Sequence, residues 1–200
     1  MFSPFLHGNQ PLQGQSRAGF GLIELMVSIA IMALVSSVIF VRQSSFNGAV
    51  LLRSQAYEIA LQAREVQLYA VSAIGDTGSF RDRYGLYFNA ATPNNVTYNI
   101  FRDADDDEWY DAGEQFGFQG RLDRRFEIRA VRAVGGDTIT GTELVVLFER
   151  PNFDARFYDT AGELAADRIE VDIALVGNSG TGPGDVRTLE ITSTGQIAVQ

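Results

Sequence analysis

The chain has 200 residues, 46% of them hydrophobic, with 16 basic and 25 acidic side chains and a net charge of −9. That balance disfavours a nucleic-acid partner, which needs a positive footprint, and every base is arginine. Cysteine is absent and His7 is the single histidine, so disulfides and thiolate metal sites are excluded, and removal of the first residues would also exclude Ser-His or Cys-His catalysis and histidine-ligated zinc.

The first predicted element is the apolar run Phe20–Val41, 22 residues with one charge. At 1.5 Å per residue it reaches about 33 Å, enough to cross a bilayer core. A secretory signal peptide has a shorter apolar region and a small-residue cleavage site after it. Here the small residue, Gly19, precedes the run, so cutting there removes a polar leader and leaves the helix in place. The one charge is Glu24, and a carboxylate in hydrocarbon costs on the order of 2.5–3.5 kcal/mol. Hydration at the membrane surface and pairing with a positive N-terminus inside an assembly are both compatible with its position.

The run Gly19-Phe20-Gly21-Leu22-Ile23-Glu24-Leu25-Met26-Val27 resembles the class III leader junction of type IV pilins and type II secretion pseudopilins. The resemblance implies cleavage by prepilin peptidase between Gly19 and Phe20 and N-methylation of Phe20. It also implies an assembly role for Glu24, fifth from the new terminus, whose carboxylate the cationic amine of a neighbouring subunit would neutralise. Gly21 departs from the threonine often found there. The same resemblance implies other pilin or pseudopilin subunits, an inner-membrane assembly platform and membrane lipid as partners, and no enzymatic activity.

Beyond the membrane-length run, Ala49, Leu52, Ala56, Ile59, Ala63, Val66, Ala70 and Ala73 recur at steps of three and four, the spacing of one helix face. Gln55, Glu58, Gln62 and Glu65 form a neighbouring polar stripe, so this half is amphipathic. Gly75-Asp76-Thr77-Gly78 supplies a stop. One helix from about Leu22 to Ile74 would be roughly 80 Å long; the alternative is a break at Ser44-Ser45 or Gly48.

From Tyr84 onward, short β-rich runs alternate with turn residues. The expected strands are Tyr84–Phe88, Val96–Phe101, Phe126–Val134, Glu143–Glu149, Ala155–Tyr158, Ile169–Val176, Arg187–Thr192 and Gln196–Val199. Short links point to antiparallel pairing, with one sheet face on the amphipathic half-helix. The expected class is therefore α+β and pilin-like. The segments are a cleavable leader at 1–19, a transmembrane and assembly half-helix at 20–41, an amphipathic half-helix at 42–75 and a β-rich domain at 76–200. The closing segment Leu189–Val199 reads as a hairpin turning at Thr194-Gly195. It resembles the terminal hairpin of H-type minor pseudopilins and related minor type IV pilins, as Phe148-Glu149-Arg150-Pro151-Asn152 resembles a strand-turn segment of that subgroup. Gln196 stands where the subgroup usually has a basic residue.

The loop 103–114 is acidic, and its spacing matches a twelve-residue calcium loop. Ligand positions 1, 3, 5, 7, 9 and 12 fall on Asp103, Asp105, Asp107, the Trp109 carbonyl, Asp111 and Glu114. Glu108 departs from the pattern, since the sixth position normally holds glycine for a sharp turn. The flanks Val96–Phe101 and Phe116-Gly117-Phe118 read as strand, which places this Ca2+ loop in a β region; a solvated acidic loop is the alternative. Arg121, Arg124, Arg125, Arg129 and Arg132 are interleaved with Asp123 and Glu127 and read as a solvated strand face.

The expected function is structural: a minor subunit of a type II secretion pseudopilus supporting protein secretion. It would be a single-pass inner-membrane protein with its C-terminal domain in the periplasm or exterior. A type IV pilus subunit for adhesion, motility or DNA uptake is the alternative. A membrane-anchored, calcium-dependent binding module is the alternative of another class.

Overall fold

The computed structural model describes Gly19 and residues 21–72, 83–148, 151–177 and 184–200, with the backbone alone at 41–46. Residues 1–18, where a leader was expected, Phe20, Ala73, the expected stop at Gly75–Gly78 and the Glu149-Arg150 pair lie outside the described residues. Helix α1 spans Leu22–Ser72, and its backbone is helical at Ser44, Ser45 and Gly48, where a break was the alternative. The chain divides into two units, residues 1–43 and 44–200.

In the first unit, Leu22–Phe40 is a 19-residue stretch long and apolar enough to cross a membrane. None of it is buried within the protein: Leu22 is 77% exposed, Met32 72% and Phe40 72%. A helix greasy all round with no protein against it needs lipid or other helices as its surroundings.

The second unit is built on one face of the remaining helix. Leu52, Ala56, Ile59, Ala63, Val66 and Ala70 are buried, with Ala60 beside them. The small alanines allow the helix backbone to lie close to the strands, while Leu52, Ile59 and Val66 supply most of the apolar bulk. Of the polar stripe, Gln55 is buried too.

Among the described residues ten strands follow: β1 Arg83–Asn89, β2 Thr97–Asp103, β3 Gly120–Arg121, β4 Phe126–Val134, β5 Glu143–Phe148, β6 Ala155–Asp159, β7 Gly162–Leu164, β8 Arg168–Leu175, β9 Val186–Thr192 and β10 Ile197–Val199. They form two antiparallel sheets rather than one. The six-stranded sheet has the order β3-β2-β1-β5-β6-β7 and the four-stranded sheet β10-β9-β8-β4. The eight expected strands all appear within a residue or two, whereas β3 and β7, only two and three residues long, were not expected. Phe116-Gly117-Phe118 is not a strand. The chain makes a single bridge, Phe101 to Gln115, then turns at Gly117 with φ of 73°. Phe116 is left against Tyr69 and Tyr84 at ring distances of 5.3 and 5.1 Å.

Period-two alternation sorts the six-stranded sheet. Tyr84, Leu86, Phe88, Tyr98, Leu144, Val146, Phe148 and Phe157 face the helix and join Phe126, Ile128, Ile169, Val171, Ile173, Leu189 and Ile191 of the other sheet in the main core. Phe101, Val145, Leu147 and Tyr158 form a second cluster with Tyr87, Trp109 and Tyr110. Gly85 is required on this outer side, because a Cβ there would lie 2.6 Å from the Phe101 ring and 2.8 Å from Leu147.

Polar ties, including those of Tyr98 and Gln67, fix the helix against the strands and their loops. Tyr98 donates its hydroxyl to Gln62 at 2.5 Å. The buried Gln67 amide donates to the carbonyls of Phe153 at 2.8 Å and Gly195 at 2.9 Å. Gly195 sits in the expected β9–β10 hairpin with φ of 79°, and a Cβ there would collide with the Phe153 carbonyl at 1.8 Å. The arginine-rich strand is ion-paired. Arg132 bridges Glu170 at 3.1 Å and Asp172, Arg125 pairs with Asp123 at 2.8 Å, and Arg129 donates to the Leu175 carbonyl at 3.1 Å.

Candidate functional site

Gly19 is exposed. Glu24 lies in the first turn of α1, where the helix dipole favours a negative side chain. Its backbone N–H and that of Leu25 donate to the Gly21 carbonyl at 3.1 and 3.2 Å, and Ser28 donates its hydroxyl to the Glu24 carbonyl at 2.7 Å. The Glu24 side chain itself is exposed among exposed apolar neighbours. At 1.5 Å per residue Leu22–Phe40 measures about 28 Å, close to the thickness of a hydrocarbon core. The stretch is therefore long and apolar enough to cross a membrane, with one exposed carboxylate in its first turn.

The acidic loop leaves the end of β2 and folds over the outer face of the six-stranded sheet. Trp109 and Tyr110 pack on Tyr87 at ring distances of 6.0 and 5.2 Å, and Tyr110 meets Phe101 at 5.5 Å. These aromatic anchors hold the backbone, so the loop is not a free acidic run. Asp103 shares the outer face with Phe101 by alternation along β2, and the loop covers it: its side chain has 0% exposure. Arg83, directly opposite in the β1–β2 register, reaches Asp103 Oδ2 at 3.4 Å and Glu108 at 3.1 Å. The Glu108 N–H donates to the same Oδ2 at 3.3 Å, while Asp103 Oδ1 is buried with no hydrogen-bond partner. Burial pushes the Asp103 carboxyl above its usual range, against the opposing pull of the Glu108 N–H and the Arg83 charge.

The five carboxylates expected at ligand positions fall into two groups that share Asp105. Asp103, Asp105 and Glu114 form one group and Asp105, Asp107 and Asp111 another, each with one oxygen per residue within 4.8 Å of the others. The Glu114 carboxylate also accepts the N–H groups of Ala104 at 2.7 Å and Asp111 at 3.2 Å, which closes the loop end to end. Asp107 accepts the Trp109 N–H at 2.8 Å. Glu108, the departure from the calcium-loop pattern, has φ of 64°, and Asp106 has φ of 63°. The left-handed turn normally made by glycine is therefore made here by Glu108, whose side chain turns to Arg83.

Beside the loop a cavity of about 520 Å³ is lined by Asp107, Trp109, Tyr158, Asp159 and Glu163, among others. Its acids are engaged: Glu163 binds Arg156 at 2.9 Å, and Asp159 accepts the N–H groups of Thr140 at 2.6 Å and Ala161 at 2.8 Å. Arg83 is the residue of this region that sequence reading missed. It lies 20 positions from Asp103, and only strand pairing makes them neighbours.

Residues 14–40 match the family described as the prokaryotic N-terminal methylation motif. No curated protein and no solved structure gives a significant match to the chain. The motif ends where the exposed apolar stretch ends, and the matched residues include Gly19, Phe20 and Glu24. Together with an apolar N-terminal helix and an amphipathic helix packed on antiparallel sheets, it indicates a pilin-like subunit of the type IV pilin and pseudopilin superfamily, processed by prepilin peptidase and anchored in the inner membrane.

Proposed function

We propose that the chain is a minor, H-type subunit of a type II secretion pseudopilus, stored in the inner membrane and assembled through its N-terminal helix to support protein secretion. The observation that carries this reading is the methylation motif coinciding with an exposed apolar helix whose one charge is Glu24 in the first turn. Prepilin peptidase cuts between Gly19 and Phe20, and the new Phe20 amine is methylated and stays cationic. In the assembled fibre that amine neutralises Glu24 of a neighbouring subunit, which removes the cost of a bare carboxylate among apolar helices. The segment 1–19 is then the discarded leader, 20–41 the assembly half-helix, 42–75 the amphipathic half and 76–200 the exported domain. The terminal β9–β10 hairpin favours the H-type role over a major subunit.

Mass spectrometry of the protein purified from its native membrane tests the processing step. The expected N-terminus is N-methyl-phenylalanine at position 20, and an intact leader would refute it. Secretion and piliation are separated by deleting the gene: lost secretion with normal pili supports the pseudopilus. Lost pili with normal secretion would instead assign the chain to a type IV pilus.

A further inference from the structure

We propose that the 103–114 loop is a Ca2+ site, with the carboxylates of Asp103, Asp105, Asp107, Asp111 and Glu114 and the Trp109 carbonyl as its ligands. Acidic side chains at a surface often lie near one another without an ion, so their convergence is not enough. The deciding observation is Asp103. Its side chain is fully enclosed, Oδ1 has no hydrogen-bond partner, and Asp103 belongs to the group formed with Asp105 and Glu114. A buried carboxylate oxygen without a donor is strongly disfavoured, and a cation held by these three residues would satisfy it.

The chemistry of the donor set selects the ion. Every side-chain donor is a carboxylate oxygen, and among the described residues neither histidine nor cysteine is present to favour zinc. Ca2+ takes six to eight oxygens in a flexible shell, whereas Mg2+ demands a tight octahedron and keeps much of its water. Asp105 belongs to both groups, so one ion beside Asp105 would draw on both. Glu108 at the sixth position is no obstacle, because its backbone already adopts the left-handed turn and its carboxylate is 3.1 Å from Arg83. Arg83 cancels only part of the charge of the two acidic groups, and the ion would reduce the remaining repulsion. It would also tie the end of β2 to the loop that covers the outer aromatic cluster.

The test uses the full chain in detergent after chelator treatment, with terbium as the probe and Trp109, the one tryptophan, as its sensitiser. Excitation of Trp109 should produce terbium emission that Ca2+ displaces at sub-millimolar concentration and that the same concentration of Mg2+ does not. Asp105→Asn, at an exposed position that leaves the fold intact, should weaken Ca2+ binding at least ~10-fold. Asp106→Asn removes the same charge from the same loop but belongs to neither group, and it should change affinity by no more than about 2-fold. Absence of sensitised emission would overturn the proposal. So would equal displacement by Mg2+, or equal losses in the two variants, since either describes a diffuse counterion cloud instead of a coordination site.

Discussion

Gln67 offers the sharpest test of how the helix is held to the sheets. It is buried, and both amide hydrogens are committed, to Phe153 and to Gly195, whose carbonyls belong to segments 86 and 128 residues away. Gln67→Met keeps the length and removes both donors. Two net hydrogen bonds at about 0.5–1.5 kcal/mol each predict a loss of roughly 1–3 kcal/mol, toward the upper end because the carbonyls stay enclosed. Gln67→Glu is nearly isosteric but at neutral pH sets a carboxylate against two carbonyl oxygens, so it should be worse than Gln67→Met by ~1 kcal/mol or more. Protonation restores one donor, and burial among acceptors raises the folded-state pKa of the introduced carboxyl above its unfolded value near 4.3. The sign follows: the variant's recovered stability is complete below about pH 4.3 and is lost as pH rises through the folded pKa. Urea unfolding of the full chain in detergent, followed by Trp109 fluorescence across pH, measures this. A Gln67→Glu variant as stable as Gln67→Met at pH 7, with no relative gain on acidification, would refute the donor role of Gln67.

The remaining predictions address other elements. Glu24→Ala should leave membrane insertion intact, since it removes the one charge of the apolar run, and should impair incorporation into fibres; normal fibre yield in a shear-and-pellet assay would count against the pairing. Gly85→Ala should cost roughly 1–3 kcal/mol in chemical unfolding, because its Cβ meets the Phe101 ring and Leu147 at 2.6 and 2.8 Å and overpacking must displace one of them. Arg132→Ala leaves the buried Asp172 with the Thr188 hydroxyl but without its cation and should destabilise by about 1–2 kcal/mol, discounted for the half-exposed arginine; in the double-mutant cycle, Asp172→Asn should recover part of that loss. Tyr87 is pushed up to about 12, by burial first and then by its hydrogen bond to Glu143, and Tyr158 to about 12 chiefly by burial. Their contribution is complete below the unfolded tyrosine value near 10 and is lost as pH climbs toward 12. Burial raises the Tyr98 hydroxyl as well, so ultraviolet titration should show at least three tyrosines, Tyr87, Tyr98 and Tyr158, ionising only with alkaline unfolding.

Local chemistry was readable along the chain wherever a repeat or a spacing carried it. The apolar run, the three-and-four spacing of Leu52 to Ala70, the Thr194-Gly195 turn and the twelve-residue ligand register each depend on neighbours within about a dozen positions. The folded chain keeps the apolar run, the helix face and the hairpin turn because helix and strand periods are properties of the backbone. What pairs with what was not readable. Alternation along β2 says that Phe101 and Asp103 share a face, yet not that Arg83 lies across from Asp103 or that Trp109 and Tyr110 close over it. The same applies to β4, which passes over its neighbour β5 to pair with β8 and so divides the strands between two sheets. Sequence alone determined an anchored helix with a single carboxylate and a loop with acids in metal-binding register. Only the tertiary structure decided that one of those acids, Asp103, is sealed from water with an oxygen left unpaired, because burial is set by contacts between segments far apart in the chain.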